Sequence, residues 1–285
     1  MQYSLVVATL NDSGDLPRLL HSFSGLEAGP VFEVIIVDQN GDDRLVGLVA
    51  RFSEKLEIVH LRVPFRGANR ARNHGAQMAR GNWLAFPDDD CELLPDTLLE
   101  VECARVDPNV YVVTGQTVDE KGDPNVLRWK PQPMEFTRWT MFGCLTESTL
   151  FVEKGSFLAA GGFDEQFGPG ATYPAAEGID LMNRLFAVRT EGKAWYSPRV
   201  KLKHPTKIPP WDRSAVSRFF CYACGDGALI AKNPQPHMLY WGFRTLVSAL
   251  IQALSFRGWR SVAYVARFIG LIKGYFCFRI SFWRA

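Results

Sequence analysis

The sequence predicts a doubly wound α/β sheet followed by a basic helical extension. Three observations lead there. Short apolar runs alternate with amphipathic stretches in the first half of the chain. Several of these runs stop at polar groups: Thr9-Leu10-Asn11, Asp38, and the three acids Asp88-Asp89-Asp90. The 59 residues after Asp226 contain no Asp or Glu at all. A chain of 285 residues has room for one large α/β domain with an appendage.

Taken in order, residues 3–9 read as the first strand; Met1-Gln2-Tyr3-Ser4 lacks the basic start of a signal peptide. A helix follows over Leu16–Phe23, with Asp12 or Ser13 near its start. Phe32–Asp38 is an almost unbroken apolar run, as in a strand buried on both faces of a parallel sheet. The pattern continues with a helix at Leu45–Phe52, a strand at Leu56–Val63, a helix at Asn69–Ala79 and a strand at Trp83–Phe86. Residues 106–118 make a further strand. A loop-rich stretch, 119–147, carries Trp129 and Trp139, which read as sugar-stacking platforms or as side chains that pin the loop down. Ser148–Glu153 is a strand and Lys154–Ala160 a short helix.

In open α/β sheets ligands bind beyond the carboxyl ends of the strands. Thr9, Asn11, Asp38 and Asp88–Asp90 therefore converge on one crevice. Three adjacent carboxylates repel one another, which points to a compensating cation. Hard oxygen donors suit Mg²⁺ or Mn²⁺ with a phosphorylated ligand. The alternative is an ordinary solvated acidic turn leading into a helix at Leu93. Neither a Gly-x-Gly-x-x-Gly pattern nor a phosphate-loop lysine is present, which argues against a dinucleotide enzyme or an NTPase. The six cysteines have no framework spacing, and Cys221-Tyr222-Ala223-Cys224 lacks a second ligand pair, so reduced thiols in the cytoplasm are expected.

Five stretches in order carry a resemblance: Val7–Asn11, Val34–Asp38, Arg66–Gly75, Ala79–Phe86 and Asp88–Asp90. The set resembles a family-two glycosyltransferase of GT-A fold, over roughly residues 3–205. The resemblance implies a catalytic domain over 1–210, with a nucleotide-sugar half (1–115) and an acceptor half (116–210). It also implies a metal-dependent, inverting transfer from a nucleotide sugar, by default a UDP-sugar, to a saccharide or lipid-linked acceptor in polysaccharide assembly. Donor contacts would fall to Thr9, Asn11, Asp38, Arg66, Arg72, Asn73, Asp88 and Asp89. Asp90, with Asp88 and His204, would hold Mn²⁺ or Mg²⁺. Acceptor contacts would involve Trp129, Asp164 and Thr172.

The family usually shows Glu-Asp where this chain has Glu177-Gly178, with Asp180 following. Glu177 and Asp180 lie one turn apart on a helix and can face one pocket. Either can serve as the base that accepts the acceptor hydroxyl's proton, Glu177 being preferred. Two other readings stand beside this one: a sugar-1-phosphate nucleotidyltransferase, or a non-catalytic nucleotide-sugar-binding protein. The former should carry a Gly-rich basic loop after the first strand, which Thr9-Leu10-Asn11-Asp12 does not supply.

Of the 32 Lys and Arg, eight follow Asp226, leaving 24 against all 30 Asp and Glu, a net of −6 before the tail. Residues 211–285 thus read as a basic, amphipathic helical region, with 237–285 meeting the inner face of the cell membrane. Leu246–Phe256 and Val262–Ile272 are expected as two short interfacial helices, broken at Arg257–Arg260 and at Arg267, each too short to span. Packing on a second subunit is the other reading. Nucleic acid fits poorly, because the basic residues are embedded among apolar ones.

Overall fold

The computed structural model describes the whole chain apart from Asp12, Ser13, Lys207, Pro209 and Ala285, and apart from the side chains of 281–284. The expected helix start at Asp12 or Ser13 lies outside the described residues. The chain forms two compact units, one comprising 1–163 with 181–206, the other 164–180 with 207–285.

The first unit is built on one sheet. Its strands are β1 (Tyr3–Thr9), β2 (Phe32–Asp38), β3 (Ile58–Arg62), β4 (Trp83–Ala85), β5 (Glu92–Leu93), β6 (Val110–Val118), β7 (Met134–Phe136), β8 (Leu150–Glu153) and β9 (Lys193–Lys203). The order is β3-β2-β1-β4-β8-β6-β9-β5, with β7 pairing β9. β1 pairs in parallel with both β2 and β4, while β8 runs antiparallel to β4 and β6. The sheet is therefore mixed, and chain direction turns back across it between β1 and β4, the position where such sheets open a ligand crevice.

Helices α1 (Leu16–Ser24), α2 (Val46–Phe52), α3 (Ala68–Met78), α4 (Thr97–Ala104) and α5 (Lys154–Ala159) accompany the strands. Val34–Val37 and Leu5–Val7 are fully buried, as strands covered on both faces must be. Helix α3 lies close on β1 and β2 because Gly75 leaves no side chain in the way: a Cβ there would sit 2.5 Å from Val6 Cγ1. That seating brings the α3 first turns, with Asn69, Arg72 and Asn73, against the sheet.

Helix α6 (Glu177–Val188) has its first turn in the second unit and the rest in the first. The second unit is otherwise helical, with α7 (Arg213–Lys232), α8 (Pro236–Ala253) and α9 (Trp259–Arg284). Asp212 caps α7 by accepting a bond from the Ala215 amide at 3.0 Å, and Pro236 opens α8 where its missing N–H costs nothing. Helices α7 and α9 run side by side at backbone contact distance. A Cβ at Gly274 would collide with the Cys224 carbonyl, one at Gly227 with that of Leu271, and one at Gly270 would lie 2.5 Å from the Phe220 carbonyl. Gly270 and Gly274 form the small-xxx-small spacing that lets helices approach this closely.

The tail differs from the expectation of two short helices. A break is present, but at 254–258, so that of the expected Arg257–Arg260 only Arg257 and Gly258 fall in it, and Arg267 does not interrupt α9. Arg267 lies 3.7 Å from Asp226 and over the Phe219 ring at 5.9 Å, so its charge is met on α7 and the helix continues. Residues 259–280, at a mean hydropathy of 1.3, are thereby long and apolar enough to cross a membrane by length and composition alone. Outward, α8 exposes Phe243, Ile251 and Leu254, and α9 exposes Ile269, Phe276 and Ile280.

The close approach of α7 and α9 makes a direct demand. Gly274→Val should destabilise the helical unit at the upper end of the ~1–3 kcal/mol typical of overpacking. Gly47→Ala, at a glycine with open space around it, should be near neutral in the same thermal-unfolding series.

Candidate active site

The site is assembled at the carboxyl ends of β1, β2 and β4. In register, Thr9 pairs with Asp38, so two polar ends lie side by side. Asp38 is 1% exposed and fully engaged. Its Oδ1 accepts from the Asn40 amide at 2.9 Å and from Asn40 Nδ2 at 2.8 Å; its Oδ2 lies 3.0 Å from His60 Nε2. Asn40 passes the order on, its Oδ1 accepting from the Asn11 amide at 2.8 Å while Asn11 sits in the left-handed region at φ 65°. Gln39 ties two loops together: its Oε1 accepts from the Gly67 amide at 2.8 Å and its Nε2 donates to the Thr9 carbonyl at 3.3 Å. Sequence reasoning singled out Asp38, Thr9 and Asn11 but missed Gln39, Asn40 and His60, which hold them.

Beyond β4 the three acids separate in role. Asp88 Oδ1 accepts from Arg72 Nη2 at 2.6 Å. Arg72 is itself 4% exposed; its Nη1 donates to Asn69 Oδ1 at 2.9 Å and its guanidinium lies over the Phe163 ring at 5.6 Å. The arginine thus acts on Asp88. Asp89 turns toward β1 and accepts from Thr9 Oγ1 at 2.8 Å. Burial, joined by the charges of Asp88 and Asp90, outweighs the Thr9 hydroxyl and pushes the Asp89 carboxyl up to about 6.

Asp90 faces His204, whose Nε2 lies 3.9 Å from Asp90 Oδ1. Register explains how residues so far apart in sequence meet. Glu92 of β5 pairs antiparallel with Lys203 of β9, so Asp90, just before β5, and His204, just after β9, fall at the same corner. His204 Nδ1 lies 2.8 Å from the Pro205 carbonyl, which can only accept, so Nδ1 carries the proton and Nε2 presents its lone pair. Asp88, Asp90, Cys91 and His204 each bring one ligand atom within 4.8 Å of the others. Two carboxylates and a correctly protonated imidazole suit a divalent cation.

Other expected residues have other partners. Asn73 makes paired bonds to the Phe163 backbone, donating to its carbonyl and accepting from its amide at 2.8 Å each, which fixes the Gly161-Gly162-Phe163 turn. Arg66 is exposed. Trp129 lies parallel to Tyr196 at 6.3 Å and donates from Nε1 to the Asn125 carbonyl at 2.7 Å, the loop-packing role.

In the second unit, Lys232 Nζ lies 2.6 Å from Asp164 Oδ2 and 2.7 Å from Asp180 Oδ1, and Asn233 Nδ2 adds a contact to Asp180 at 3.4 Å. Asp180 is fully buried and Glu177 nearly so, at the N-terminal turn of α6 where the helix dipole favours acids. Ala176, immediately before, holds a φ of 75°, and Gly225 of α7 leaves space for its neighbour Ala175, whose carbonyl would lie 2.8 Å from a Cβ there. A left-handed alanine is a strained residue, held here by its surroundings. Thr172 is exposed.

Residues 4–163 match the family Glycosyl transferase family 2. An uncharacterized glycosyltransferase of Haemophilus influenzae is 32% identical over 111 residues, 39% of this chain and 37% of that protein. The chain spans well under half the length of the curated relatives it matches. Two solved structures share the fold. One is S. aureus TarS 1-349 in complex with UDP-GlcNAc, with a TM-score of 0.58 at 16% identity, covering 100% of this chain and 92% of that one. The other is the mannosyltransferase PcManGT from Pyrobaculum calidifontis in complex with GDP-Man and Mn²⁺, at 0.67 and 17%, covering 96% and 86%. The mixed sheet is accordingly the GT-A fold.

The raised Asp89 carboxyl has a consequence for stability. An unfolded Asp titrates near 4, so the folded state gains from the protonated acid below that pH and loses the gain as pH rises through about 6. The melting temperature of the chelator-treated protein, measured from pH 4 to 8, should therefore fall relative to Asp89→Asn over that interval and run parallel above it. Parallel curves throughout would remove the assignment.

Proposed function

Since residues 4–163 match it across more than half of the length, the chain belongs to glycosyl transferase family 2, and on that premise we propose that it moves a sugar from a nucleotide sugar, with inversion, to a saccharide or lipid-linked acceptor. The observation that carries this reading is the corner made by Asp88, Asp90 and His204 beside the β1–β4 crevice.

In this reading the donor is a UDP-sugar. TarS has been solved with UDP-GlcNAc, which supports that choice. Asp38, aligned by His60 and Asn40, meets the base; Thr9, Asn11, Arg66 and Asp89 line the remaining donor contacts. Arg72 contributes by holding Asp88. Asp90, Asp88 and His204 would hold Mn²⁺ or Mg²⁺, and PcManGT in complex with Mn²⁺ supports this too. A cation there supplies charge neutralisation for the departing diphosphate.

Glu177 is the base, accepting the acceptor hydroxyl's proton as that oxygen attacks the anomeric carbon. Asp180 fits this role less well, because its Oδ1 is already engaged by the Lys232 ammonium at 2.7 Å. It serves to order the first turn of α6. Thr172 and Asp164 fall on the acceptor side, and Trp129 packs its own loop.

In this reading the enzyme lies on the inner membrane face, and the exposed apolar residues of α8 and α9 support a lipid boundary there. A peripheral position suits α9 better than a crossing, because α7, seated along it, carries Arg213, Arg218 and Asp226.

Glu177→Gln should lower transfer by about 10²- to 10⁴-fold with UDP binding kept. Asp180→Asn should instead cost about 3 kcal/mol in unfolding, since it strips a buried partner from Lys232. Unimpaired transfer by Glu177→Gln would refute the base. For the membrane, a Phe243→Ser, Ile251→Ser, Leu254→Ser variant should sediment with phosphatidylglycerol vesicles at least about tenfold less than wild type. Equal sedimentation would sink the lipid reading.

A further inference from the structure

The acidic corner contains a donor that neither Mg²⁺ chemistry nor the transfer reaction calls for. Cys91 follows the three acids directly and is 1% exposed. Its amide donates to the Asp88 carbonyl at 3.0 Å, closing a tight turn over Asp88-Asp89-Asp90-Cys91. The turn sends Asp89 toward Thr9 and leaves Asp88, Asp90 and Cys91 on the side of His204. The sulfur thereby joins two carboxylate oxygens and an imidazole nitrogen, all mutually within 4.8 Å. Donors of these kinds, one sulfur, one nitrogen and two oxygens, are a set that borderline and soft ions accept. Mg²⁺ takes no sulfur ligand and prefers six oxygens.

We propose that Cys91 is a fourth protein donor at this corner, so that of the two ions named above the site prefers Mn²⁺ to Mg²⁺, and takes thiophilic ions such as Zn²⁺, Co²⁺ or Cd²⁺ still more readily. On coordination the metal–sulfur bond replaces the S–H bond and the proton passes to solvent, as for any thiol bound by such an ion. The inference rests on the metal corner of the proposed transferase but not on its base, its donor or its acceptor.

Co²⁺ added to the reduced, chelator-stripped full-length protein is the direct probe. Wild type should show a near-ultraviolet sulfur-to-cobalt charge-transfer band that saturates at one ion per chain. Cys91→Ala should lose the band, and His204→Ala should weaken Co²⁺ binding while keeping the band at saturation. Because the core around Cys91 is tight, Cys91→Ser supplies a near-isosteric second variant; its preference for Cd²⁺ over Mg²⁺ by calorimetry should fall at least tenfold. A band that persists in both Cys91 variants, assigning it to another cysteine, overturns the proposal. So does the absence of a band, or an unchanged ion preference in Cys91→Ser. A Co²⁺ band without sugar transfer leaves the ligand in place and defeats the transferase reading, whereas transfer without the band does the reverse.

Discussion

Everything in the first unit answers to one electrostatic problem: three carboxylates at the end of a buried strand. Left alone they would repel one another in a medium that screens poorly. The fold meets each acid from a different element. Helix α3 brings Arg72 to Asp88, β1 brings the Thr9 hydroxyl to Asp89, and the β5–β9 register brings His204 to Asp90. The compensation is uneven. Arg72 meets one charge, a hydroxyl only softens the second, and the third faces the His204 imidazole at 3.9 Å.

This also explains how much could be read from the chain beforehand. The strands were legible because parallel strands covered on both faces must be apolar almost throughout, and Leu5–Val7 and Val34–Val37 are. The acids were legible because carboxylates at strand ends are conspicuous against such runs. What escaped were the residues that act on other residues. His60, Gln39 and Asn40 mark no motif; each matters only through the register that puts it behind Asp38 or beside Gly67. Asn73 stands among donor-side residues in the sequence, and its amide bonds to the backbone of Phe163, a pairing that no linear pattern marks. Arg267 was read as a helix break from its charge alone. Its partner Asp226 lies on another helix, which a linear pattern does not show.

The second unit solves a different problem with small residues and a single lysine. Gly227, Gly270 and Gly274 bring α7 and α9 to backbone contact, and Gly225 receives the turn before α6. Close seating of this kind leaves little freedom along α7, so Lys232 near its end is placed and not merely tethered. Its ammonium lies between Asp164 and Asp180 and is 5.1 Å from the Phe167 ring centre. Two acids that would otherwise repel are joined to one cation, and the turn carrying Glu177 is ordered as a result.

The departure from Glu-Asp to Glu177-Gly178 can then be understood physically. An acid directly after Glu177 would add another negative charge to a first turn that already carries Glu177 and Asp180. With glycine there, the nearest second acid is Asp180, a full turn on and already committed to Lys232. On the proposed reading Asp180, held by Lys232, orders the turn while Glu177 takes the proton. Paired acids in active sites do the same when their environments drive them apart. The glycine is therefore compatible with the proposed catalysis, in which the two acids have different tasks.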